Sequence, residues 1–219
     1  DAFAFGGLAG RQLRGAVKII GLGTQAVQDQ PGGHLDDRVE AESDEGDRAG
    51  GEPGRDGGEA LQRYAEGGTA LVSGAMSHAI RRERTGYPQA NRLLVVGKLP
   101  ELLKIVNKNN SLHIGSAVNQ QTIIELPQLR EQFTVLAEAL DAAGHTRVRR
   151  MTTVGGSVGP LIGGFDMPVT LLALNARVVT ATVKGQRSYP LAEAFDKRFA
   201  KDEMLVAVEI DALPARSGS

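Results

Sequence analysis

Residues 153–157 read TVGGS, and residues 71–78, earlier in the chain, read LVSGAMSH. Glycine permits a positive φ and lets a phosphate approach the main chain, so backbone N–H groups beside it can converge on an anion. The neighbouring serine and threonine hydroxyls can also donate to phosphate oxygens. Either segment alone is typical of an ordinary tight turn. Together they make a candidate phosphate cradle.

Around the first segment, the sequence predicts one helix and several short strands. Residues 59–64 (EALQRY) have helical propensity and are followed by Gly67 and Gly68, which indicates a helix end. Asn109 and Asn110 separate two alternating stretches, which predicts a hairpin. The strands predicted in this half are residues 15–23, 70–72, 92–96, 102–106 and 111–114.

Around the second segment, helical and strand patterns are again mixed. Residues 120–125 and 131–143 place apolar side chains at three- and four-residue spacings, which predicts an amphipathic helix ended by Gly144. Residues 169–174 form an apolar run, and the alternating stretches 176–182 and 205–210 predict half-buried strands. The order predicts an α+β fold rather than a pure repetition of βαβ units.

The N-terminal part of the chain has a different composition. Residues 28–58 are rich in glycine and acidic residues and nearly lack large apolar ones. Such a segment cannot bury enough surface to offset its ordering entropy, and we interpret it as disordered or loosely attached. The predicted division is a low-complexity or divergent segment over residues 1–57, a folded domain over 58–214 and a tail over 215–219.

Charge and composition exclude several classes of protein. The 219 residues carry a formal net charge of -1, which is not the electrostatic footprint of a nucleic-acid binder or a polybasic membrane-surface protein. The absence of cysteine excludes disulfides and any iron–sulfur cluster or zinc site held by thiolates of this chain. No apolar run reaches the length of a membrane span, and the first residues lack a basic segment followed by an apolar stretch and a cleavage site, so we expect a cytoplasmic location by default.

The titratable residues predict no catalytic residue and no metal site. His78, His113 and His145 are scattered without partners at ligand spacing, which favours surface or packing roles. Asp166 has a simpler reading as the cap of a helix beginning near Pro168. The basic run at residues 81–84 favours a solvated face or a contact with an acidic partner. No nucleophile with its base is present, so a bound cofactor must carry any chemistry.

Taken in order, five segments carry a family resemblance. The first FAD loop of that family reads A-G-G-x-S/T, the second reads R-N-R-G-T-I-G-G-S/N, and an Asp-Leu-Pro and a closing strand region follow. The corresponding segments are residues 73–77 (SGAMS), 149–157 (RRMTTVGGS), 166–168 (DMP), 190–193 (PLAE) and 203–210. Residues 59–214 therefore resemble the FAD-binding domain of the medium subunit of molybdenum hydroxylases. That family includes carbon monoxide dehydrogenase, xanthine dehydrogenase and bacterial N-heterocycle hydroxylases acting on alkaloids such as nicotine.

Three residues depart from the family pattern. Ala75 replaces a loop glycine, and Met151 and Thr152 replace the Arg-Gly that precedes the second loop. A side chain at Ala75 narrows the approach of the backbone to a phosphate and alters the expected FAD affinity.

The resemblance implies a fold and a binding site. The fold is of the p-cresol methylhydroxylase and molybdopterin dehydrogenase type, two small α/β subdomains with FAD between them. The two loops bind the FAD pyrophosphate, Asp166 contacts the polar side of the flavin, and Leu205 packs near the isoalloxazine or adenine ring. The residues implied in FAD binding are Leu71, Val72, Ser73, Gly74, Ala75, Met76, Ser77, His78, Thr153, Val154, Gly155, Gly156, Ser157, Asp166 and Leu205.

The resemblance also implies partner subunits. A substrate, with an N-heterocycle such as nicotine favoured, is hydroxylated at a molybdopterin cofactor on a large subunit. Electrons pass through 2Fe-2S clusters on a small subunit, and FAD on this chain delivers them to an external acceptor. The lack of cysteine agrees with clusters placed on another polypeptide. The expected assembly is a heterotrimer or its dimer.

Two other functions remain open at this stage. One is a self-sufficient flavin oxidase, and the other is an assembly subunit that has lost FAD, suggested by Ala75, Met151 and Thr152. The termini also differ from the family. Residues 1–57 do not resemble its N-terminal start, which indicates divergence or a reading-frame error, and the C-terminal domain of the family is expected to be missing after Pro214.

Overall fold

A computed structural model describes residues 18–21, 57–76, 92–108 and 110–212 of the chain. The strands are β1 (Lys18–Gly21), β2 (Thr69–Val72), β3 (Arg92–Val95), β4 (Ile105–Lys108), β5 (Ser111–Gly115), β6 (Arg177–Thr182), β7 (Gly185–Pro190) and β8 (Met204–Asp211). The α-helices are α1 (Gly57–Ala65), α2 (Gln120–Ile124), α3 (Pro127–Gln132), α4 (Thr134–Ala142), α5 (Thr146–Met151), α6 (Val154–Val158), α7 (Asp166–Ala173) and α8 (Leu191–Lys197), and a 3-10 helix covers Pro100–Leu103.

These strands form two sheets. In the smaller sheet, β3 lies between β1 and β2, antiparallel to β1 and parallel to β2. The larger sheet is antiparallel, with the strand order β4-β5-β8-β6-β7 and an irregularity of register between Val179 and Thr180. Helix α1 contacts β2 of the smaller sheet and also β6 of the larger one. The remaining helices accompany the larger sheet.

Two hydrophobic clusters use the central strand β8 from opposite sides. One cluster includes Leu205 and Val208 of β8 and buries Phe133 among the helices α2, α3, α4, α6 and α7. The other includes Met204 and Val206 of β8 and joins the larger sheet to α1 and β3. Successive side chains of a strand point to opposite faces, so one strand serves both clusters. The alternation changes at the register irregularity, where Val206 is the extra residue of β8, so Leu205 and Val208 belong to the same cluster. The predicted α+β class, with two small subdomains, is confirmed.

Most of the predicted elements are confirmed. The helix at 59–64 lies within α1, and the strands at 70–72, 92–96, 176–182 and 205–210 correspond to β2, β3, β6 and β8. The predicted strand at 15–23 contains β1. Residues 57 and 58 belong to α1, and the rest of the segment predicted as loosely attached lies outside the described residues, as do the basic run at 81–84 and the tail.

Two predictions need correction, and some elements were not predicted. Residues 131–143 are not one helix, because the buried Phe133 has φ -136° and ψ 48° and separates α3 from α4. The strand predicted at 102–106 begins only at Ile105, because Pro100 starts a 3-10 turn that covers Leu102 and Leu103. Helix α5 and strand β7 were not predicted. Their residues are mostly exposed and polar, so they show neither the helical nor the strand spacing of apolar side chains clearly.

The hairpin between β4 and β5 is confirmed, with Asn110 at φ 64°. Asparagine tolerates this left-handed conformation better than most residues. Among the helices that the structure describes, none combines the length and the apolar character needed to cross a bilayer.

Candidate functional site

A cavity of about 580 Å³ lies where the two sheets approach each other. Its wall includes β2 with the following residues 73–76, residues 151–153 with the start of α6, and residues 199–205 leading into β8, except Asp202. A volume of this size is in the range of pockets that bind small molecules and cofactors. The first two wall segments are the pair that the sequence predicts as a phosphate cradle. The third was recognised only as a closing strand.

Gly74 is the point at which the first two wall segments meet. A Cβ on Gly74 would fall well inside the contact radius of the Met151 carbonyl oxygen and 3.2 Å from Cγ2 of Thr153. No side chain fits there without a backbone shift, so glycine is a steric requirement of the site. The glycine that the first loop retains is therefore the one that lets the loops touch.

Ala75, the next residue, has a left-handed backbone with φ 66°. This conformation is natural for glycine and costs an L residue about 1–2 kcal/mol. Ala75 is exposed, so its methyl group meets no steric obstacle. The departure from the family pattern is accommodated in space but carries backbone strain.

The hydroxyl of Ser73 also points to a ligand. Among the described residues, its Oγ is one of three buried side-chain oxygens that find no hydrogen-bond partner. Ser73 lines the cavity. A buried polar atom without a partner carries a desolvation penalty that a ligand phosphate can remove.

The second candidate segment is a helix start, which corrects the predicted turn. Thr153 is the N-cap of α6, and its Oγ1 accepts a hydrogen bond from the Gly156 N–H at 3.1 Å. Gly155 lies inside the first helical turn, where a Cβ would be 3.0 Å from the Ser116 carbonyl oxygen. The glycines of this segment therefore allow close packing within a helical backbone, and they are not needed for a positive φ.

The backbone N–H groups of this segment also donate hydrogen bonds within the protein. Val154 N–H donates to the Val118 carbonyl at 2.9 Å, Gly155 N–H donates to the Ser116 carbonyl at 2.7 Å, and Ser157 N–H donates to the Thr153 carbonyl at 3.0 Å. They are not offered to an anion in this structure. The hydroxyl of Thr153 can still donate its hydrogen to a ligand, because within the cap its oxygen acts only as an acceptor.

The structure brings together most of the residues implied in FAD binding. Those that line the cavity are Leu71, Val72, Ser73, Gly74, Ala75, Met76, Thr153, Gly155, Gly156 and Leu205. Val154 and Ser157 are instead buried behind the wall, where Ser157 Oγ accepts from Gln120 Nε2 at 3.3 Å. Ser77 and His78 lie outside the described residues.

Asp166 does not line this cavity. It occupies the first turn of α7, with Phe165 at the N-cap, and lines a separate cavity of about 270 Å³ beside Gly163 and Gly164. The alternative reading, in which a helix starts near Pro168, agrees with α7, but Asp166 is not its cap. Its contact with the flavin stays a prediction.

Glu203 is a functional-site residue that the sequence analysis missed. Its carboxylate is almost fully buried. It accepts hydrogen bonds from Nε and from one terminal nitrogen of Arg187, each at 2.8 Å. It also accepts from the hydroxyls of Thr180 at 2.5 Å and Tyr189 at 2.9 Å, and from the Ala200 N–H at 3.0 Å. The available signal was a carboxylate at the entry to an apolar strand, which needs partners if it is buried.

The hydrogen bonds decide the charge of Glu203. Burial raises its pKa, but the bonds from Arg187, Thr180, Ala200 and Tyr189 outweigh burial and lower the pKa to about 2. Burial and the nearby carboxylate raise the pKa of Tyr189 to about 12. Arg187 lies 4.5 Å from the centre of the Tyr189 ring. The group stays an ion pair at neutral pH and anchors residues 200–203 to β6 and β7.

The part of the chain that the structure describes contains no group of three or more His, Asp or Glu residues placed to hold an ion. His113 Nδ1 lies 3.2 Å from the carboxylate of Glu209 on the adjacent strand β8. That position fits a packing role within the sheet.

Comparison with known proteins finds a family match and several relatives. Residues 56–212 match the family described as the FAD binding domain in molybdopterin dehydrogenase. Over 167 residues the chain is 27% identical to subunit alpha of the 6-hydroxypseudooxynicotine dehydrogenase complex of Paenarthrobacter nicotinovorans and 28% identical to the nicotinate dehydrogenase FAD-subunit of Eubacterium barkeri. Each match covers 73% of this chain and 56% of the relative. The chain thus spans about half the length of the curated relatives it matches.

A solved structure shares the fold. The match to carbon monoxide dehydrogenase from Hydrogenophaga pseudoflava has a TM-score of 0.68 at 23% identity and covers 73% of this chain and 57% of that chain.

The strain at Ala75 predicts opposite effects for two adjacent substitutions. We expect Ala75→Gly to stabilise the fold by up to about 1 kcal/mol, because relief of left-handed strain exceeds the added entropy of the unfolded chain. Gly74→Ala should destabilise it by about 1–3 kcal/mol through overlap with the Met151 carbonyl. Urea unfolding measures both. Equal effects of the two substitutions would contradict the geometry of this loop.

The lowered pKa of Glu203 predicts an acid-sensitive contribution to stability. The stabilisation is complete above the ordinary pKa of 4.5 and is lost as pH falls toward about 2, which amounts to about 3 kcal/mol. Unfolding free energies measured from pH 6 to pH 2 should therefore fall more steeply for the wild type than for Glu203→Gln. The exposed Glu138→Gln on α4 controls for loss of a charge alone. Parallel curves for the wild type and Glu203→Gln would refute this account.

Proposed function

Because the chain belongs to the family of FAD-binding domains in molybdopterin dehydrogenases, we propose that it is the FAD-carrying electron-transfer subunit of a multi-subunit molybdenum hydroxylase. The observation that supports the proposal is the cavity whose two wall segments meet where Gly74 approaches the Met151 carbonyl. The family resemblance predicted from the ordered segments is confirmed by the match over residues 56–212.

The donor set of the cavity fits a dinucleotide pyrophosphate. Ser73 supplies a buried hydroxyl that lacks a partner, and Thr153 supplies a hydroxyl hydrogen from the opposite wall segment. Gly74 removes the side chain that would separate the two segments. These features support a phosphate group held between the loops, with Ser77, His78 and Asp166 as further predicted contacts.

The apolar part of the cavity suits a ring system. Leu205 and Met204 at the start of β8 are almost fully buried yet line the cavity, and Phe199 lies on the same wall segment. Bound FAD would supply the capacity to accept and release electrons. The role of this chain is to bind and orient the cofactor, to cover its ring with apolar side chains and to exclude water from it.

Partner subunits complete the proposed reaction. With no cysteine, this chain cannot ligate an iron–sulfur cluster through its own thiolates, so we place the 2Fe-2S clusters on a small subunit and the molybdopterin cofactor on a large one. Electrons from substrate hydroxylation would reach the flavin through the clusters and leave to an external acceptor. The relatives named for 6-hydroxypseudooxynicotine and nicotinate favour an N-heterocyclic substrate bound on the large subunit. We expect a heterotrimer or its dimer in the cytoplasm.

An assembly subunit that has lost FAD is the competing function. The left-handed Ala75 and the committed amides of α6 favour it, because both reduce what the backbone offers to a phosphate. The retained Gly74 contact and the unpartnered Ser73 hydroxyl favour a binding site.

Purification of the complex from its native host tests the function. We expect one FAD per copy of this chain, with visible flavin absorbance, and co-purification of a cysteine-rich 2Fe-2S chain and a large molybdenum chain. A colourless native complex would support the assembly role instead. A lone flavoprotein that turns over substrate would refute the subunit proposal and favour a self-sufficient oxidase.

Removal of the Ser73 hydroxyl tests the site itself. We expect Ser73→Ala to weaken FAD binding by about tenfold or more, because a hydrogen bond to a charged phosphate contributes about 1.5–3 kcal/mol. Flavin fluorescence titration of the FAD-stripped complex measures the change. Ser188→Ala on the edge strand β7, which does not line the cavity, should bind FAD as the wild type does. Equal affinity of all three proteins would remove Ser73 from the site.

A further inference from the structure

Residues 198–203 form a rigid turn at the cavity wall. Arg198 begins it with φ 65° and donates to the carbonyl oxygens of Leu161 and Pro160, each at 3.2 Å. Glu203 ends it: its N–H donates to the Ala200 carbonyl at 3.1 Å, and its carboxylate accepts from the Ala200 N–H at 3.0 Å. The turn is therefore fastened both to the segment after α6 and to the larger sheet.

Lys201 lies within this turn and faces the cavity. Among the described residues that line the cavity, Lys201 and Glu203 are the charged ones. The charge of Glu203 is balanced by the bidentate contact with Arg187. Lys201 is exposed, and no ion pair or hydrogen bond of its side chain is found in the described part of the chain. Among the described residues of the cavity wall, Lys201 is therefore the cation whose charge is not balanced by the protein.

Among the described residues, the other hydrogen-bond donors of the cavity wall carry no formal charge. The amides of Val154, Gly155 and Ser157 donate within the protein, and Ser73 and Thr153 are neutral donors. A pyrophosphate carries negative charge that neutral hydroxyls do not balance, and an ammonium group at a charge-assisted distance would do so. Fixing the backbone on both sides of Lys201 also lowers the entropy lost when its side chain binds.

From this arrangement we infer that Lys201 is a binding residue for the pyrophosphate of the dinucleotide. The inference rests on the proposed FAD-binding function and adds a specific electrostatic contact to it. Lys201 does not lie in either glycine-containing segment. It reaches the cavity through the turn that Arg198 and Glu203 hold.

Three ligands separate the phosphate contact from contacts with the flavin ring. ADP carries the pyrophosphate without the flavin, riboflavin carries the ring without phosphate, and FAD carries both. The FAD-stripped complex is titrated with each ligand at low and high salt, following flavin fluorescence for FAD and riboflavin and competition with FAD for ADP. The proteins compared are the wild type, Lys201→Gln, Lys201→Arg and the control Lys184→Gln, whose exposed lysine lies outside the cavity.

We expect Lys201→Gln to weaken FAD and ADP by about tenfold and to reduce the salt dependence of both, because a charged hydrogen bond and its screening are lost. Riboflavin should bind unchanged. Lys201→Arg should restore most of the affinity, and Lys184→Gln should match the wild type. Thermal unfolding of each variant without ligand identifies any loss of folding. Should Lys201→Gln fail to fold, the salt dependence of wild-type ADP binding and the Lys201→Arg variant still test the contact.

The outcomes distinguish the two proposals. A wild-type complex that binds no FAD refutes the proposed function. If the wild type binds FAD but Lys201→Gln binds FAD and ADP equally well, the function stands and the Lys201 contact is overturned. Loss of riboflavin binding with unchanged ADP binding, or wild-type ADP affinity independent of salt, also overturns the pyrophosphate contact.

Discussion

The close approach of Gly74 to the Met151 carbonyl is the constraint on which the site depends. The two segments belong to different parts of the fold, one following β2 of the smaller sheet and the other joining α5 to α6. A side chain at residue 74 would hold them apart, because its Cβ would overlap the Met151 carbonyl. One missing methyl group therefore allows the two walls to meet, and the cavity, the position of Ser73 and the reach of Thr153 follow from that meeting.

The opposite wall depends on a buried carboxylate, that of Glu203, which pairs with the exposed guanidinium of Arg187. Removing a carboxylate from water is unfavourable unless hydrogen bonds and an opposite charge replace its hydration. Glu203 obtains both from β6, β7 and the Ala200 amide, so the pair ties three backbone segments together at the entry to β8. The arrangement shapes the wall without adding net negative charge to a cavity proposed to hold an anion. Lys201, which lines the same cavity, is the residue proposed to contact the ligand.

Ala75 shows how far the site tolerates departure from its family. The backbone keeps the left-handed conformation that glycine would adopt freely, although alanine pays a strain penalty for it. Surrounding contacts, above all the Gly74 approach, hold the loop in place. The geometry is thus a property of the packing between the segments rather than of the residue at each position.

The sequence by itself determined the α+β class, most strands and the family, because the hydrophobic period and the ordered loop segments are local properties. Tertiary structure alone decided that Phe133 breaks a helix, that Thr153 caps α6 over Gly155 and Gly156, and that Asp166 lines a separate cavity. It also decided that Lys201 and Glu203 belong to the site. Their roles arise from contacts between residues distant along the chain, and no local pattern encodes which distant groups will satisfy a buried charge or leave a lysine facing a cavity.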